Sequence, residues 1–194
     1  MKHLIYSMAI VGLLSGCDLK SNRIENTKEL NREIKASQIK RVTNTQLIYS
    51  ADEWGKKISQ IAEKSLKAEL EKNAEAGTAL CGDLSKIPVI AALEKEYGVK
   101  VQLLGSADLK SKELAPKERE VLDAYLYSAR AKAAAGDNLQ QLNDTLLVYN
   151  APVSPESIVC KKCMTGQDTS FGVWRLLFSK KEIIRKLDAK QLKN

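Results

Sequence analysis

Residues 158–166 read IVCKKCMTG and contain the spacing with the most chemical potential in the chain. Cys160 and Cys163 form a Cys-x-x-Cys pair. Followed by histidine, such a pair is the attachment signal for c-type haem, so both cysteines are candidate thioether positions. Met164 stands where that histidine would be. A thioether is a legitimate axial ligand to haem iron, which makes Met164 a candidate ligand. Alternatively, exported cysteines form disulfides. Cys160 can then pair with Cys163, or Cys81 with either of them. A bridge from Cys81 would close a loop of about eighty residues and stabilise the fold by roughly 4 kcal/mol in the chain-entropy model.

Two further chemistries use the same cysteines. Thioredoxin-like exchange needs the Cys-x-x-Cys at a helix N-terminus beside a βαβ unit. Here the motif is expected in a loop between a proline-containing turn and a strand. Zinc held by the three thiolates and a carboxylate such as Asp168 lacks a second Cys-x-x-Cys, so no metal site is assigned. His3 is the only histidine, and residues 17–194 contain none. Within that span every mechanism using a histidine base is excluded, as is every histidine-ligated zinc or haem. No catalytic residues are identified, and a non-enzymatic role is expected.

The compartment decides between these sulfur chemistries. Residues 1–17 read MKHLIYSMAIVGLLSGC: one lysine, a short apolar run, then small residues before Cys17. The run is too short for a permanent membrane span and reads as a secretory signal. Leu14-Ser15-Gly16-Cys17 matches the bacterial lipobox. Residues 1–16 are therefore expected to be removed and Cys17 lipidated, with the protein held in the cell envelope facing outward. Asp18 resembles the signal that retains lipoproteins in the inner membrane of enteric-type bacteria. Lys+Arg total 31 against 24 Asp+Glu, a formal charge of +7. That balance suits anionic lipid headgroups. The lysines alternate with glutamates as on a solvated helix face, with no basic-aromatic stripe, so nucleic acid is not expected as a partner.

Residues 17–40 read as a polar tether turning helical. The pattern from 27 to 76 is helical, with Ile58, Ile61, Ala62, Leu66 and Leu70 on one face, a bend at Trp54-Gly55 and a stop at Gly77. A second helix is expected from 78 to 97, carrying Cys81 in its first turns and kinked at Pro88. Strands are expected at 99–104, 145–153 and 171–179, a loop at 105–115, and a helix from Pro116 to about Gly136. A final helix follows Ser179, with Ser179-Lys180-Lys181-Glu182 in the form of a capping box. Helices first and strands later give an α+β domain with a small antiparallel sheet, over 41–194.

The order of these features resembles the Tll-type haem-binding domains, a PAS-like family of exported bacterial proteins and sensor modules. AGTALCGDLSKIP is similar to that family's cysteine helix, which puts Cys81 at the position of its iron-ligating cysteine. LLVYNAPVSPESIVCKKCMTG is similar to its strand and haem motif, and FGVWRLLFS to its closing strand. The resemblance covers roughly residues 40–180. It implies a PAS-like fold, a binding or sensing role, and Cys81 close to Cys160 and Cys163. The chain departs from the family where Met164 replaces the axial histidine. GSADLKSKELAP stands where the family has an arginine- and asparagine-rich loop. The expectation is a retained fold without covalent haem. The alternatives are a redox protein, either a Cys/Met-ligated c-type carrier or a thiol–disulfide exchanger, and a structural lipoprotein binding another envelope protein.

Overall fold

Thr43 starts the longest helix by a reciprocal cap. Its hydroxyl accepts from the Gln46 amide at 3.2 Å, while the Gln46 side chain accepts from the Thr43 amide at 2.9 Å. Two otherwise unpaired donors are satisfied together, and helix α1 runs Asn44–Lys72. Its buried stripe includes Leu47, Ala51, Trp54, Ile58, Ala62, Leu66 and Leu70, at the helical repeat. Ile61 is 40% exposed and lies off that stripe. The structure, a computed structural model, describes residues 31, 42–72, 77–168 and 171–191, with side-chain burial omitted for 77–78 and 188–191. The signal segment, Cys17, Asp18 and nearly all of the 17–40 tether lie outside the described residues. Residues 41–194 form one compact unit.

Helix α1 passes straight through Trp54-Gly55, where the sequence suggests a bend. Gly55 serves a close approach instead: a Cβ there would overlap the Tyr149 ring. Gly77 opens the next helix, α2 (Gly77–Gly82), rather than ending the first. The single helix expected over 78–97 is two. A 3-10 turn at Leu84–Lys86, capped by the Asp83 side chain on the Ser85 amide, separates α2 from α3 (Pro88–Tyr97). Pro88 is the first residue of α3, where its missing N–H costs nothing, so it starts a helix instead of kinking one. Gly98 ends α3 in the left-handed conformation at φ 58°.

Strand β1 (Val99–Leu104) follows, then a 3-10 turn at Ser106–Lys110 inside the expected loop, then α4 (Pro116–Arg130). Helix α4 stops six residues before Gly136. The chain then forms β2 (Asn138–Gln141), which its polar sequence NLQQ conceals. Strand β3 spans Leu146–Pro152 and β4 spans Val173–Ser179. The Cys-x-x-Cys lies between them on a short helix, α5 (Ile158–Cys163), and not in a loop; Ser157 caps it. Helix α6 (Lys180–Gln191) continues directly from Ser179, which is the last residue of β4.

The four strands form one antiparallel sheet in the order β1-β4-β3-β2. One face carries Val99, Val101, Leu147, Tyr149, Trp174, Leu176 and Phe178 into the main core, against α1. On the other face, Leu104 and Val173 pack with Leu122 and Tyr125 of α4 in a second cluster. The domain is therefore α+β, with a small antiparallel sheet, a long helix before it and a helix after it. Among the described residues, no helix is long and apolar enough to cross a membrane.

Candidate functional site

The sulfur-bearing residues converge at one end of the sheet. Cys81 of α2 and Cys163 of α5 are joined in a disulfide, with Cα atoms 5.4 Å apart. Both line a cleft of about 630 Å³ together with Met164, Gln167 and residues 100–104 of β1. Of the pairings left open by the sequence, the bridge between Cys81 and the second motif cysteine is the one formed.

Cys160 is separate from that bond. It is a free thiol with no solvent exposure, packed in the main core. Its Sγ lies 4.0 Å from the Val153 carbonyl oxygen. Burial pushes this thiol up to about 11, and the charge of Glu63 on α1 adds to the effect. Glu63 is close because its carboxylate accepts from the Ser157 hydroxyl at 3.2 Å, tying the start of α5 to α1. At neutral pH Cys160 is protonated and enclosed, the reverse of an activated nucleophile. Although the motif is helical, the antiparallel sheet supplies no βαβ unit.

Met164 is 2% exposed and closes the end of α5 through its amide, which donates to the Cys160 carbonyl. Two glycines make room for it. A Cβ on Gly105 would lie 2.6 Å from the Met164 sulfur, and one on Gly172 would lie 3.6 Å from its methyl group and 3.0 Å from Cys160 Sγ. Met164 thus fills an interior gap, a use that suits its flexible side chain. Gln167 holds the adjoining turn: its Oε1 accepts from the Ala107 amide at 2.9 Å.

The residues present do not fit a covalently attached haem. Cys81 and Cys163 have spent their sulfurs on each other, so one cannot ligate iron while the other forms a thioether. Cys160 is enclosed in the core, and Met164, though it borders the cleft, is 2% exposed. The zinc alternative loses the same two thiolates, and Asp168 pairs with Arg130 at 3.1 Å. Among the described residues, no group of three or more His, Cys, Asp or Glu could hold a metal ion.

Sequence reasoning missed the rest of this cleft. Its walls include Asp83, Glu94, Lys100 and Asp108. Asp83 accepts from both the amide and the hydroxyl of Ser85, which lowers its pKa. The Asp83-x-Ser85 spacing was a readable signal for that turn. Glu94 Oε1 accepts from the Val101 amide at 2.8 Å, a contact set by tertiary packing alone. A second, more apolar cleft of about 870 Å³ lies beyond Gly172, lined by Tyr125, Val153 and Phe171 among others. The Tyr125 hydroxyl donates to the Gly136 carbonyl at 2.8 Å.

No family model, curated protein or solved structure matches this chain.

Proposed function

We propose that this chain is a lipid-anchored envelope protein whose domain is a non-enzymatic binding module. In this reading it is built like a Tll-type haem domain in which a disulfide has replaced the haem. Lipid on Cys17 tethers it, and the domain faces outward, where its cysteines oxidise. The observation that carries the proposal is the Cys81–Cys163 bond. It links the two positions that the resemblance assigns to an iron ligand and a haem thioether. The family resemblance requires those cysteines to be neighbours, and the bond leaves them without sulfur for haem. Against a thiol–disulfide exchanger stands Cys160, whose burial keeps it protonated.

The experiment is a pyridine haemochrome assay on the full chain, purified from a host competent for cytochrome c maturation. A preparation without a Soret band or haemochrome agrees with the proposal. A stoichiometric haemochrome would return the protein to the c-type haem class.

A further inference from the structure

The 630 Å³ cleft runs along an open sheet edge. Strand β1 is an end strand, paired on one side with β4. Residues of both side-chain parities, from Lys100 to Leu104, line the cleft, as happens along an edge rather than over a face. The direction of one amide fixes the others. Val101 N–H donates to Glu94 on α3, outside the sheet, so it points away from β4. In an antiparallel ladder alternate residues share that direction. Val99 and Leu103 therefore also turn their amides and carbonyls outward. Among the described residues, no backbone acceptor outside the sheet is paired with the Leu103 amide.

Exposed edges of this kind accept another strand, and proteins shield those that must stay free. Here Glu94 shields the Val101 amide and not the Leu103 amide. The walls supply a preference. Asp83, Glu94 and Asp108 line the cleft with Lys100, and Lys86 pairs with Asp83 at 3.7 Å from outside the lining, so three carboxylates meet two lysines in a chain whose formal charge is +7. At the strand rise, the edge spans about 20 Å.

We infer that this cleft docks an extended, basic segment of a partner polypeptide, which adds to the sheet as a fifth strand beside β1. Backbone hydrogen bonds to Leu103 and the outward carbonyls supply the alignment. The three carboxylates select lysine or arginine side chains. The Cys81–Cys163 bridge fixes the opposite wall, keeping the trough open. The inference deepens the binding-module reading and rests on it; haem assays test that reading separately, so the two can fail independently.

The test uses the full chain in detergent and a labelled hexapeptide of alternating lysine and valine. Binding is followed by fluorescence anisotropy, and amide exchange at Leu103 by NMR. The expected result is saturable binding that slows Leu103 exchange about fivefold or more, the equivalent of one net hydrogen bond. Methylating alternate backbone nitrogens of the peptide abolishes binding, and replacing its lysines by glutamates does the same. Asp83→Asn, on the exposed rim, weakens binding about two- to fivefold, the scale of one exposed ion pair. Equal affinity for the N-methylated peptide, unchanged Leu103 exchange at saturation, or no binding of the basic peptide would overturn the inference.

Discussion

Cys81 and Cys163 are bonded across a sequence separation of 82, and the bond ties helix α2 to helix α5 at the end of the sheet. Helix α2 has only six residues, and besides the bridge Leu80 packs it against the main core. The bridge should therefore carry a large share of the domain's stability. The Cys81→Ser/Cys163→Ser double variant is expected to be about 4 kcal/mol less stable than the oxidised protein in urea titrations, the chain-entropy value for such a loop. An unchanged midpoint would show that the bridge is incidental.

Three buried acids that are neutral at physiological pH predict alkaline sensitivity. Cys160 is pushed from 9.0 up to about 11 and Tyr125 from 10.0 up to about 12, both chiefly by burial. Tyr149 is raised too, by burial and by donating its hydroxyl to Asp137. Each folded-state value lies above the unfolded one, so the unfolded chain loses these protons first. The contributions of Cys160 and Tyr125 are complete below about pH 9 and are lost as pH rises through about 11–12, and that of Tyr149 persists to higher pH. Stability should thus fall steadily above pH 9. Cys160 should resist thiol reagents at pH 8 until the protein unfolds. Rapid labelling of the native protein would refute its enclosure.

Gly55→Ala tests the contact between α1 and the sheet. In an isolated helix the change would gain about 1 kcal/mol. Here the new methyl group meets the Tyr149 ring, which has no solvent-exposed space to retreat into. Overpacking should dominate, giving a net loss of about 1–3 kcal/mol. A gain in thermal midpoint would mean that the helix and strand can move apart freely.

On the α4 face of the sheet, Arg175 donates to Glu118 at 2.7 Å, with side chains only 8% and 3% exposed. The Arg175 guanidinium also donates to Gln102 across the strand pair. Removing one charge strands the other: Glu118→Leu or Arg175→Met should each cost about 3–5 kcal/mol. The double variant Glu118→Leu/Arg175→Met should recover much of that loss. A double variant as unstable as the sum of the singles would show that the pair is not coupled.

Strands β1, β3 and β4 were legible because hydrophobic alternation and flanking glycine or proline mark them. The Pro116 and Gly98 boundaries were legible from local backbone chemistry. Strand β2 was not, because Asn138, Gln140 and Gln141 carry no apolar alternation; it forms because β3 offers an edge to pair with. Gly55 misled for a related reason. A helix-breaking residue was tolerated to admit an aromatic ring from a strand nearly a hundred residues later. The Cys81–Cys163 bridge was one of three pairings that the cysteines left open, and nothing in their local sequence selects it. The acidic wall and open edge of the cleft arise from the order of strands in the sheet, which no local pattern encodes.

The most direct measurement is the intact mass of the protein, made in a host competent for cytochrome c maturation and analysed without reductant. The expected mass is that of lipidated residues 17–194 less two hydrogens, and peptide mapping should assign the bridge to Cys81 and Cys163, with Cys160 a free thiol. A mass increased by one haem, or a bridge between Cys160 and Cys163, would contradict the claim that a disulfide has taken over the haem-ligand positions.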